Sequence, residues 1–376
     1  MWEPLGDRSL ALGAGGRPTQ RSPPAGGGGR RRRERAGTRS RARLREGAAR
    51  DRTTARPPGG RRMRLAVVGA GAVGRATVEL AGEYGHSVTA VADSTGAAID
   101  PDGVDPETAF ATKGETGSVG SDDPDAALAA EYDVLVEATP TTLGDAEPGF
   151  SHVRAALERD RHVVLANKGP VAERYGDLRE LERESAGEIR FEATVGGAIP
   201  AISTIEDFGP SRITAARGVL NGTANFILTR MAAEGLGYEH VLSEAQDLGV
   251  AEADPSFDVE GTDAALKCVI MANVLSDDRE FTLADADVEG IEEIPGTALE
   301  LAAEDGRTVR LIGEATRSGV RVGPRLIPEN GTLAVTGTRN IVQIETTHAG
   351  RLNVSGRGAG GPETATAILS DVGRLG

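Results

Sequence analysis

The sequence of 376 residues contains one cysteine, Cys268, which excludes a disulfide within the chain and a metal site of paired cysteines. It also lacks histidines at HxxxH or HExxH spacing, which argues against a histidine-ligated metal and a histidine-based dehydrogenase. Aromatic residues make up 3% of the chain, and no stretch reaches the roughly 20 apolar residues of a membrane span. We therefore expect a cytoplasmic protein that neither crosses nor enters a membrane.

Lysine is almost absent, and the chain contains only Lys113, Lys168 and Lys267. Residues 1–62 carry a formal charge of +12, whereas the remainder carries −27. An acidic, lysine-poor surface stays hydrated in concentrated salt, where screening suppresses self-repulsion, so we expect a halophilic source. A GC-rich genome would explain the missing lysines but not the excess of acidic residues. The acidic body also argues against a nucleic-acid partner.

Residues 1–62 contain 17 arginines and are rich in glycine and proline, so they cannot bury enough apolar surface to fold. Such a segment could be a nucleic-acid-binding arm, a transit peptide, or the product of a start codon placed upstream of the true one. We favour the third interpretation, because MRLAVVGAGAVG begins at Met63 in the way that nucleotide-binding chains usually begin. We expect a disordered or misassigned basic extension.

Short strand-like runs alternate with helical patterns over residues 63–191; the runs are RLAVVG, SVTAVA, DVLVEA, RHVVLA and EIRFEA. This rhythm predicts an α/β fold with a Rossmann-like, doubly wound parallel sheet. Residues 192–352 have longer helical patterns followed by β runs such as RTVRLIGEA and NIVQIETT, which predict a second α+β domain for substrate binding and dimerisation. A glycine-rich turn and helix within residues 353–376 are expected to return to the dinucleotide-binding domain.

The segment GAGAVG follows the first predicted strand and opens a helix, as the dinucleotide-binding fingerprint requires. Its first glycine allows a tight turn, its second allows close approach of a pyrophosphate, and its third allows the helix to pack on the strand. The pyrophosphate would then lie at the positive end of the helix. The predicted cofactor-binding residues here are Gly69, Gly71, Ala72, Val73 and Gly74.

Asp93 ends the next predicted strand, 19 residues after Gly74, where an acidic residue is expected to meet the ribose 2′-hydroxyl. An anion there repels a 2′-phosphate, which slightly favours NAD over NADP. The alternative is that Asp93 only caps the turn ADSTG. Thr139 and Pro140 follow another predicted strand at its carboxyl end, so we expect them to border the nicotinamide ribose.

Asp263 and Lys267 lie four residues apart in EGTDAALK and share one face of a predicted helix. Glu252 and Asp258 lie on the loop before it, which can bring three carboxylates and one ammonium together. This cluster suits an amino-acid substrate, with a carboxylate on its ammonium and the lysine facing a hydroxyl or aldehyde oxygen. The alternative is an ordinary exposed salt bridge. Lys113, in the loop ATKGETGS, is expected to be only solvated.

Four further stretches resemble homoserine dehydrogenases: ANKGP (166–170), EATVGGAIP (192–200), NGTANFIL (221–228) and EADPSFDVEGTDAALK (252–267). The resemblance implies NAD- or NADP-dependent interconversion of L-homoserine and L-aspartate 4-semialdehyde, in threonine and methionine biosynthesis. It also implies a homodimer. Two of the three lysines fall inside these motifs, which favours a catalytic role over a surface salt bridge.

The resemblance implies roles for individual residues around the reacting carbon. Lys267 would donate and accept the proton, Asp263 would orient it or a water molecule, and Lys168 would contact substrate or cofactor as a second cation. Glu252 and Asp258 would bind homoserine. The substrate cleft would also be lined by Asn221 and Thr223, although Thr223 could instead cap the following helix.

The resemblance also implies contacts outside this cluster. In EATVGGAIP a monovalent cation, Na⁺ or K⁺, would be held by Glu192 and the backbone near Val195, Gly197 and Ile199. The alternative is a hinge with two flexible glycines. Near the end of the chain the final helix would approach the cofactor through Gly358, Gly360 and Gly361.

Three other functions fit parts of this pattern. An aspartate dehydrogenase would share the dinucleotide-binding start. A phosphorylating semialdehyde dehydrogenase needs a thiolate, and Cys268 lies in the apolar stretch CVIMANVL, where a core position is expected. A non-catalytic dinucleotide sensor would have no need of the cluster from Glu252 to Lys267.

Overall fold

The computed structural model describes residues 61–376 of the chain. The predicted basic extension therefore lies outside the described residues, apart from Arg61 and Arg62 at its end. Within the described part, no helix is both long enough and apolar enough to span a membrane. This agrees with the lack of long apolar runs in the sequence.

A six-stranded sheet with flanking helices forms from the first half of the described chain. Its strands are β1 (Arg64–Val68), β2 (Ser87–Ala92), β3 (Ala97–Ile99), β4 (Val134–Glu137), β5 (His162–Leu165) and β6 (Ile189–Arg190). Its helices are α1 (Ala72–Leu80), α2 (Pro106–Thr116), α3 (Pro124–Ala129), α4 (Gly149–Leu157), α5 (Lys168–Glu173) and α6 (Tyr175–Arg183).

This sheet confirms the Rossmann-like fold predicted from the sequence. Its order is β3-β2-β1-β4-β5-β6, and every pairing from β2 to β6 is parallel. The strand order reverses at β1, so the carboxyl ends of β1, β2 and β4 surround a crevice of the kind that binds ligands in open α/β sheets. The edge strand β3 was not predicted, and it pairs antiparallel with β2.

The second half of the chain contributes helices and a second six-stranded sheet. The helices are α7 (Ala201–Phe208), α8 (Gly222–Glu234), α9 (Tyr238–Asp247), α10 (Ser256–Val259), α11 (Thr262–Leu275), α12 (Gly296–Glu304) and α13 (Gly361–Val372). The strands are β7 (Ile213–Val219), β8 (Ala286–Val288), β9 (Arg307–Thr316), β10 (Gly319–Pro328), β11 (Arg339–Thr346) and β12 (Arg351–Arg357). Short 3-10 turns lie at Glu192–Thr194, Pro210–Arg212 and Leu283–Asp285.

The second sheet has the order β12-β11-β7-β9-β10-β8, and only β8 pairs parallel to its neighbour. The two β runs predicted from the sequence are β9 and β11. The expected boundary at residue 353 falls inside β12, which pairs with β11 and so belongs to the second sheet. The chain leaves that sheet only after Arg357.

Helix α11 is the most enclosed helix of the site, because every residue from Asp263 to Leu275 is buried. It contacts β9 and β10 on one side and α5 of the nucleotide-binding half on the other. Helix α13 packs on α1, and its residues Ile368 and Val372 share a hydrophobic cluster with Leu65 of β1. These two helices join sequence-distant parts of the chain at the crevice.

Candidate active site

The glycine turn between β1 and α1 has the geometry that a dinucleotide needs. Gly69 has a φ of +105°, and its N–H donates to the Ala92 carbonyl at 2.9 Å. A Cβ on Gly74 would lie 1.7 Å from the Gly69 oxygen, so only glycine lets the helix sit this close. Around Gly71, by contrast, no described atom lies within 4 Å of such a Cβ. The turn thus leaves open space beside the start of α1.

Asp93 follows β2 and its buried carboxylate is saturated with donors. One oxygen accepts from the N–H groups of Thr95 and Gly96, and the other accepts from Val119 N–H and from Lys113 Nζ at 2.5 Å. Burial opposes the charged form, but the hydrogen bonds from Lys113, Thr95 and Gly96 outweigh it and hold the pKa of Asp93 below its ordinary value.

Two sequence-based interpretations change here. Asp93 does cap its own turn, which was the alternative interpretation. The expectation that Lys113 is only solvated is wrong: it lies on α2, a helix that the sequence did not predict, and forms an ion pair with Asp93. A cation therefore lies at the carboxyl end of β2, where the ribose is expected.

A buried carboxylate at the end of β4 organises the neighbouring part of the crevice. Glu137 has no exposed surface, and it accepts hydrogen bonds from Thr139 N–H and Oγ1 and from Asn167 Nδ2. Its other oxygen contacts His152 Nδ1 at 2.7 Å. Asn167 in turn caps α5 by accepting from Gly169 N–H. The sequence analysis missed Glu137 and Asn167, which fix Thr139 and the segment carrying Lys168.

The structure brings the predicted catalytic residues together. Asp263 Oδ2 accepts from Lys267 Nζ at 2.6 Å, and Asp263 Oδ1 lies 3.4 Å from Lys168 Nζ. Lys168 begins α5 in the nucleotide-binding half, whereas the other two residues lie on α11. Burial opposes ionisation of Asp263, but the charges of Lys267 and Lys168 outweigh it and hold its pKa well below the ordinary value.

This pair is not an exposed surface salt bridge, because the side chains of Asp263 and Lys267 are each 9% exposed. Lys267 Nζ also donates to the Leu220 carbonyl at 2.7 Å. An ammonium has three N–H donors, so two are fixed by protein groups and one remains for another acceptor. The sequence analysis could not identify the Leu220 carbonyl, since a backbone group leaves no residue-type signal.

Asn221 connects the cluster to Asp258 on α10. Its Nδ2 donates to Asp258 at 2.6 Å and to Asp263 at 2.9 Å, while its Oδ1 caps α8 by accepting from Ala224 N–H. The suggestion that Thr223 caps this helix is wrong, because Thr223 Oγ1 donates instead to the Val250 carbonyl. Asp258 thus lies within the cluster.

Glu252 lies apart from these contacts. It is exposed on the loop between α9 and α10, and its carboxylate makes no hydrogen bond or ion pair with another described residue. The loop itself is held where Gln246 Nε2 donates to the backbone carbonyls of Glu252 and Ala253. The structure therefore gathers Asn221, Asp258, Asp263 and both lysines, but leaves the Glu252 carboxylate facing solvent.

The EATVGGAIP segment forms a 3-10 turn and a loop before α7. The Glu192 carboxylate accepts from the N–H groups of Ala201, Ile202 and Ser203 at 2.7–2.9 Å and so caps that helix. Burial raises its pKa, and those hydrogen bonds oppose the rise. No cluster of three potential metal-ligating side chains exists in the described chain. A cation in this segment would therefore depend on backbone carbonyl oxygens.

The glycine segment before α13 touches both halves of the crevice. A Cβ on Gly361 would lie 2.8 Å from the Ala72 carbonyl, so the start of α13 lies directly against the start of α1. A Cβ on Gly197 would lie 1.7 Å from the Gly358 carbonyl. Residues 358–361 thus lie between the dinucleotide-binding turn and the 3-10 loop.

Cys268 is buried beside Lys267, and burial raises the pKa of its thiol far above the ordinary value. A thiol kept neutral in this way is a poor nucleophile. The core position expected for Cys268 is confirmed, and it removes the support for a phosphorylating semialdehyde dehydrogenase.

Two family models match the chain. The model "Homoserine dehydrogenase" matches residues 200–372, which contain α11 and its two catalytic candidates. The model "Glutamate/Leucine/Phenylalanine/Valine dehydrogenase" matches residues 27–141, which include the glycine turn.

Named relatives agree with the first of these matches. The homoserine dehydrogenase of Methanocaldococcus jannaschii is 40% identical over 328 residues, covering 82% of this chain and 97% of that protein. The NAD(+)-dependent homoserine dehydrogenase of Pseudomonas canavaninivorans is 42% identical over 247 residues, covering 64% of this chain and 70% of that protein.

Solved structures show the same fold. A putative homoserine dehydrogenase from Archaeoglobus fulgidus aligns with a TM-score of 0.77 and 41% identity, covering 83% of this chain and 98% of the other. A hyperthermophilic archaeal homoserine dehydrogenase in complex with NADPH aligns with a TM-score of 0.71 and 28% identity, covering 83% and 97%. The family resemblance inferred from the four motifs is confirmed, and the chain belongs to the homoserine dehydrogenases, a family of NAD(P)-dependent oxidoreductases.

Proposed function

We propose that Lys267 is the proton donor and acceptor for the interconversion of L-homoserine and L-aspartate 4-semialdehyde, with Asp263 and Lys168 as its charge partners. One observation carries this proposal: Asp263 is buried between Lys267 at 2.6 Å and Lys168 at 3.4 Å, where the two halves of the chain meet. A buried ammonium with one free donor is suited to proton transfer at a substrate oxygen.

The residues at the crevice fit a nicotinamide dinucleotide. Open space beside Gly71 and the unpaired N–H groups at the start of α1 suit a pyrophosphate. Thr139 and Pro140 lie at the carboxyl end of β4 next to that turn, and Gly358 and Gly360 belong to the segment that brings Gly361 against the start of α1. These residues, together with Gly69, Ala72, Val73, Gly74 and Lys168, are the proposed cofactor contacts. A bound nicotinamide supplies or accepts a hydride.

Lys267 balances that hydride with a proton. In the reductive direction the aldehyde carbon gains a hydride, and Lys267 Nζ gives a proton to its oxygen, so that a hydroxyl forms instead of an alkoxide. In the oxidative direction the neutral amine removes the hydroxyl proton. Asp263 holds Lys267 in place through its 2.6 Å hydrogen bond.

Asp258 is the best placed group for the substrate ammonium. It is half-buried, and Asn221 holds it beside Asp263. Glu252 lies on the loop that leads into α10, the helix of Asp258, and is the second proposed ammonium ligand, which requires the loop to close over the substrate. Thr223, the second residue of α8, is the proposed third lining residue.

The pair of Asp93 and Lys113 bears on the choice between NAD and NADP. The Asp93 carboxylate repels a 2′-phosphate, whereas the half-buried Lys113 attracts one. We propose that the chain accepts both cofactors. NAD is favoured only to the extent that repulsion of the 2′-phosphate by Asp93 exceeds its attraction by Lys113.

A monovalent cation, Na⁺ or K⁺, is proposed at the loop before α7. The Glu192 carboxylate already accepts three N–H groups, so Glu192 would bind the cation through its backbone carbonyl. Val195, Gly197 and Ile199 would likewise bind it through their backbone carbonyls. Such an ion would fix the loop that contacts Gly358.

Salt adaptation, assembly, cellular location, pathway and domain division are also proposals. The net charge of −27 after residue 62 supports adaptation to concentrated salt, and the second sheet supports assembly as a homodimer. Cytoplasmic location, a place in threonine and methionine biosynthesis, and a division near residues 191 and 353 rest on the family resemblance and the sequence pattern. Light scattering of the purified chain in molar KCl tests the dimer.

The central test measures nicotinamide reduction with homoserine, using NAD or NADP, in dilute and in molar KCl. The wild-type chain should show a homoserine-dependent rate that rises with salt. Lys267→Ala should lower kcat by about 10²- to 10⁴-fold without weakening NADH binding. Arg230→Ala, which removes an i,i+4 ion pair with Glu234 and a second ion pair with Glu244, both outside the lysine cluster, is the control and should keep the rate.

The two parts of the proposal fail separately. No homoserine-dependent rate with either cofactor would contradict the activity. A Lys267→Ala variant as fast as the wild type would contradict the proton-transfer role and leave the activity in place.

A further inference from the structure

The Leu220 carbonyl accepts two hydrogen bonds from residues far apart in the sequence. One comes from Lys267 Nζ at 2.7 Å, and the other comes from Asn340 Nδ2, on β11, at 3.0 Å. Leu220 follows β7 directly and precedes the turn that carries Asn221. Asn340 therefore reaches the hydrogen-bond partner of the proposed catalytic amine, although no motif of the sequence drew attention to it.

Asn340 is buried, with 3% of its surface exposed, and its Oδ1 has no hydrogen-bond partner among the described residues. An unpaired oxygen on a buried amide is unfavourable, so a purely structural asparagine would be expected to use both ends. The amide lies against Gly358, because a Cβ there would be 2.1 Å from Asn340 Nδ2. Gly358 in turn lies against Gly197.

We propose that Asn340 is a positioning residue for Lys267, held in place by Gly358. The proposal rests on the proposed role of Lys267. Asn340 Nδ2 fixes the Leu220 carbonyl, and that carbonyl fixes one of the three Lys267 donors. Asp263 fixes a second donor, so the third points in one direction only, towards the substrate oxygen.

Gly358 extends this chain of contacts to the cofactor side. It begins the glycine segment that ends at Gly361, which lies against Ala72 at the start of α1. The orientation of Lys267 is thus connected, through Asn340 and four residues of backbone, to the turn proposed to bind the pyrophosphate. The sequence shows these glycines, but only the fold shows what lies against them.

Two substitutions at Asn340 distinguish the role of its Nδ2 donor from that of its Oδ1 acceptor. Asn340→Ala removes both ends and should lower kcat by about tenfold, with little change in the homoserine KM or in NADH affinity. Asn340→Asp keeps the shape and Oδ1 but replaces the donor with an oxygen that faces the Leu220 carbonyl, so it should lower kcat at least as much. In both variants the solvent isotope effect on kcat should rise, because proton transfer limits the rate.

Asn273→Ala is the matched structural control. Asn273 is buried on the same helix as Lys267 and bonds to the backbone of Phe281 through both ends of its amide. Its loss should lower the melting temperature without changing the solvent isotope effect.

Gly358→Ala tests the same contact from the other side. The added methyl group should displace Asn340 and lower kcat with the same rise in isotope effect. In the double variant Asn340→Ala, Gly358→Ala, the methyl group has space, so the rate should equal that of Asn340→Ala alone. If the alanine at position 358 acts on the cofactor instead, the two losses in kcat multiply, and the proposed contact is overturned.

The remaining outcomes are also decisive. If Lys267→Ala is inactive while Asn340→Ala and Asn340→Asp keep the wild-type kcat and isotope effect, the positioning role is wrong and the proposed function stands. If Lys267→Ala keeps full activity, the proposed proton-transfer role is wrong, whatever the Asn340 variants do. If Asn340→Ala does not fold, Asn340→Asp and Gly358→Ala provide the same kcat and isotope measurements.

Discussion

Two of the aspartate–lysine pairs in the described part of the chain differ in their surroundings. Asp263 and Lys267 are four residues apart on one helix and are both buried. Asp93 and Lys113 are 20 residues apart, on the turn after β2 and on α2, and Lys113 is about one third exposed. Both aspartates have a pKa below the ordinary value because a lysine donates to them.

The difference between the pairs lies in what surrounds the carboxylate. Four backbone or hydroxyl donors besides its lysine satisfy Asp93, so its turn would persist without the cation. Asp263 instead has Lys267 and the Asn221 amide as its donors and Lys168 as a second ion-pair partner, and no described backbone N–H donates to it. The first pair therefore belongs to a self-sufficient turn, whereas the second depends on its charges, as expected of the proposed proton-transfer site.

The largest expected effect is that of Asp263→Asn. The substitution keeps the shape but leaves the buried Lys267 and the half-buried Lys168 without the anion between them, so kcat should fall by about 10²- to 10³-fold and the free energy of unfolding by about 3 kcal/mol. Steady-state kinetics with homoserine and chemical unfolding in molar KCl measure the two losses. A variant with normal kcat but reduced stability would show that Asp263 and Lys267 have only a structural role. The two pairs would then not differ in function.

A smaller, selective effect is expected at the other pair. Lys113→Met removes the cation and leaves Asp93 negative, so NADPH should bind about tenfold more weakly while NADH changes less than about twofold. Titration of both cofactors by fluorescence measures the ratio. Arg321→Met, at an exposed arginine of β10, is the control for a general loss of positive charge. Equal losses for both cofactors would show that Lys113 does not face the 2′ position.

The smallest expected effect concerns acid stability. The pKa of Asp93 is lower in the folded chain than the roughly 3.9 of an unfolded aspartate, so its stabilisation is present above about pH 4 and is lost as the pH falls below it. Asp93→Asn should therefore cost about 1 kcal/mol at neutral pH and less near pH 3. Urea unfolding at both values measures the difference. A cost that stays constant with pH would mean that the charge of Asp93 plays no part.

The same two pairs show how far sequence reasoning extends. The strands from β1 to β6, apart from β3, were predictable because strands buried on both faces leave continuous apolar runs. Asp263 and Lys267 were predictable because an i,i+4 spacing places them on one helical face. Lys113 was not, because its helix has polar residues on most sides and carries no apolar periodicity. Its contact with Asp93 exists only once that helix is placed.

Residues that hold others in position were the hardest to predict. Glu137 ends an apolar strand and gives no sign in the sequence that three elements of the crevice bond to it. Asn340 acts on a backbone carbonyl, and backbone groups have no residue identity. The cleft role expected for Asn221 stays a prediction, but the structure adds that it caps α8 and binds two carboxylates with one side chain.

The packing of α13 on α1 has a consequence for synthesis of the chain. Ile368 and Val372 complete the hydrophobic cluster that contains Leu65 of β1, some 300 residues earlier. A ribosome that has made the whole first sheet has therefore not yet made the helix that covers one of its faces. Until residues 361–372 emerge, that apolar face is open to water and to other nascent chains. The nucleotide-binding half is therefore synthesised early but completes its folding late.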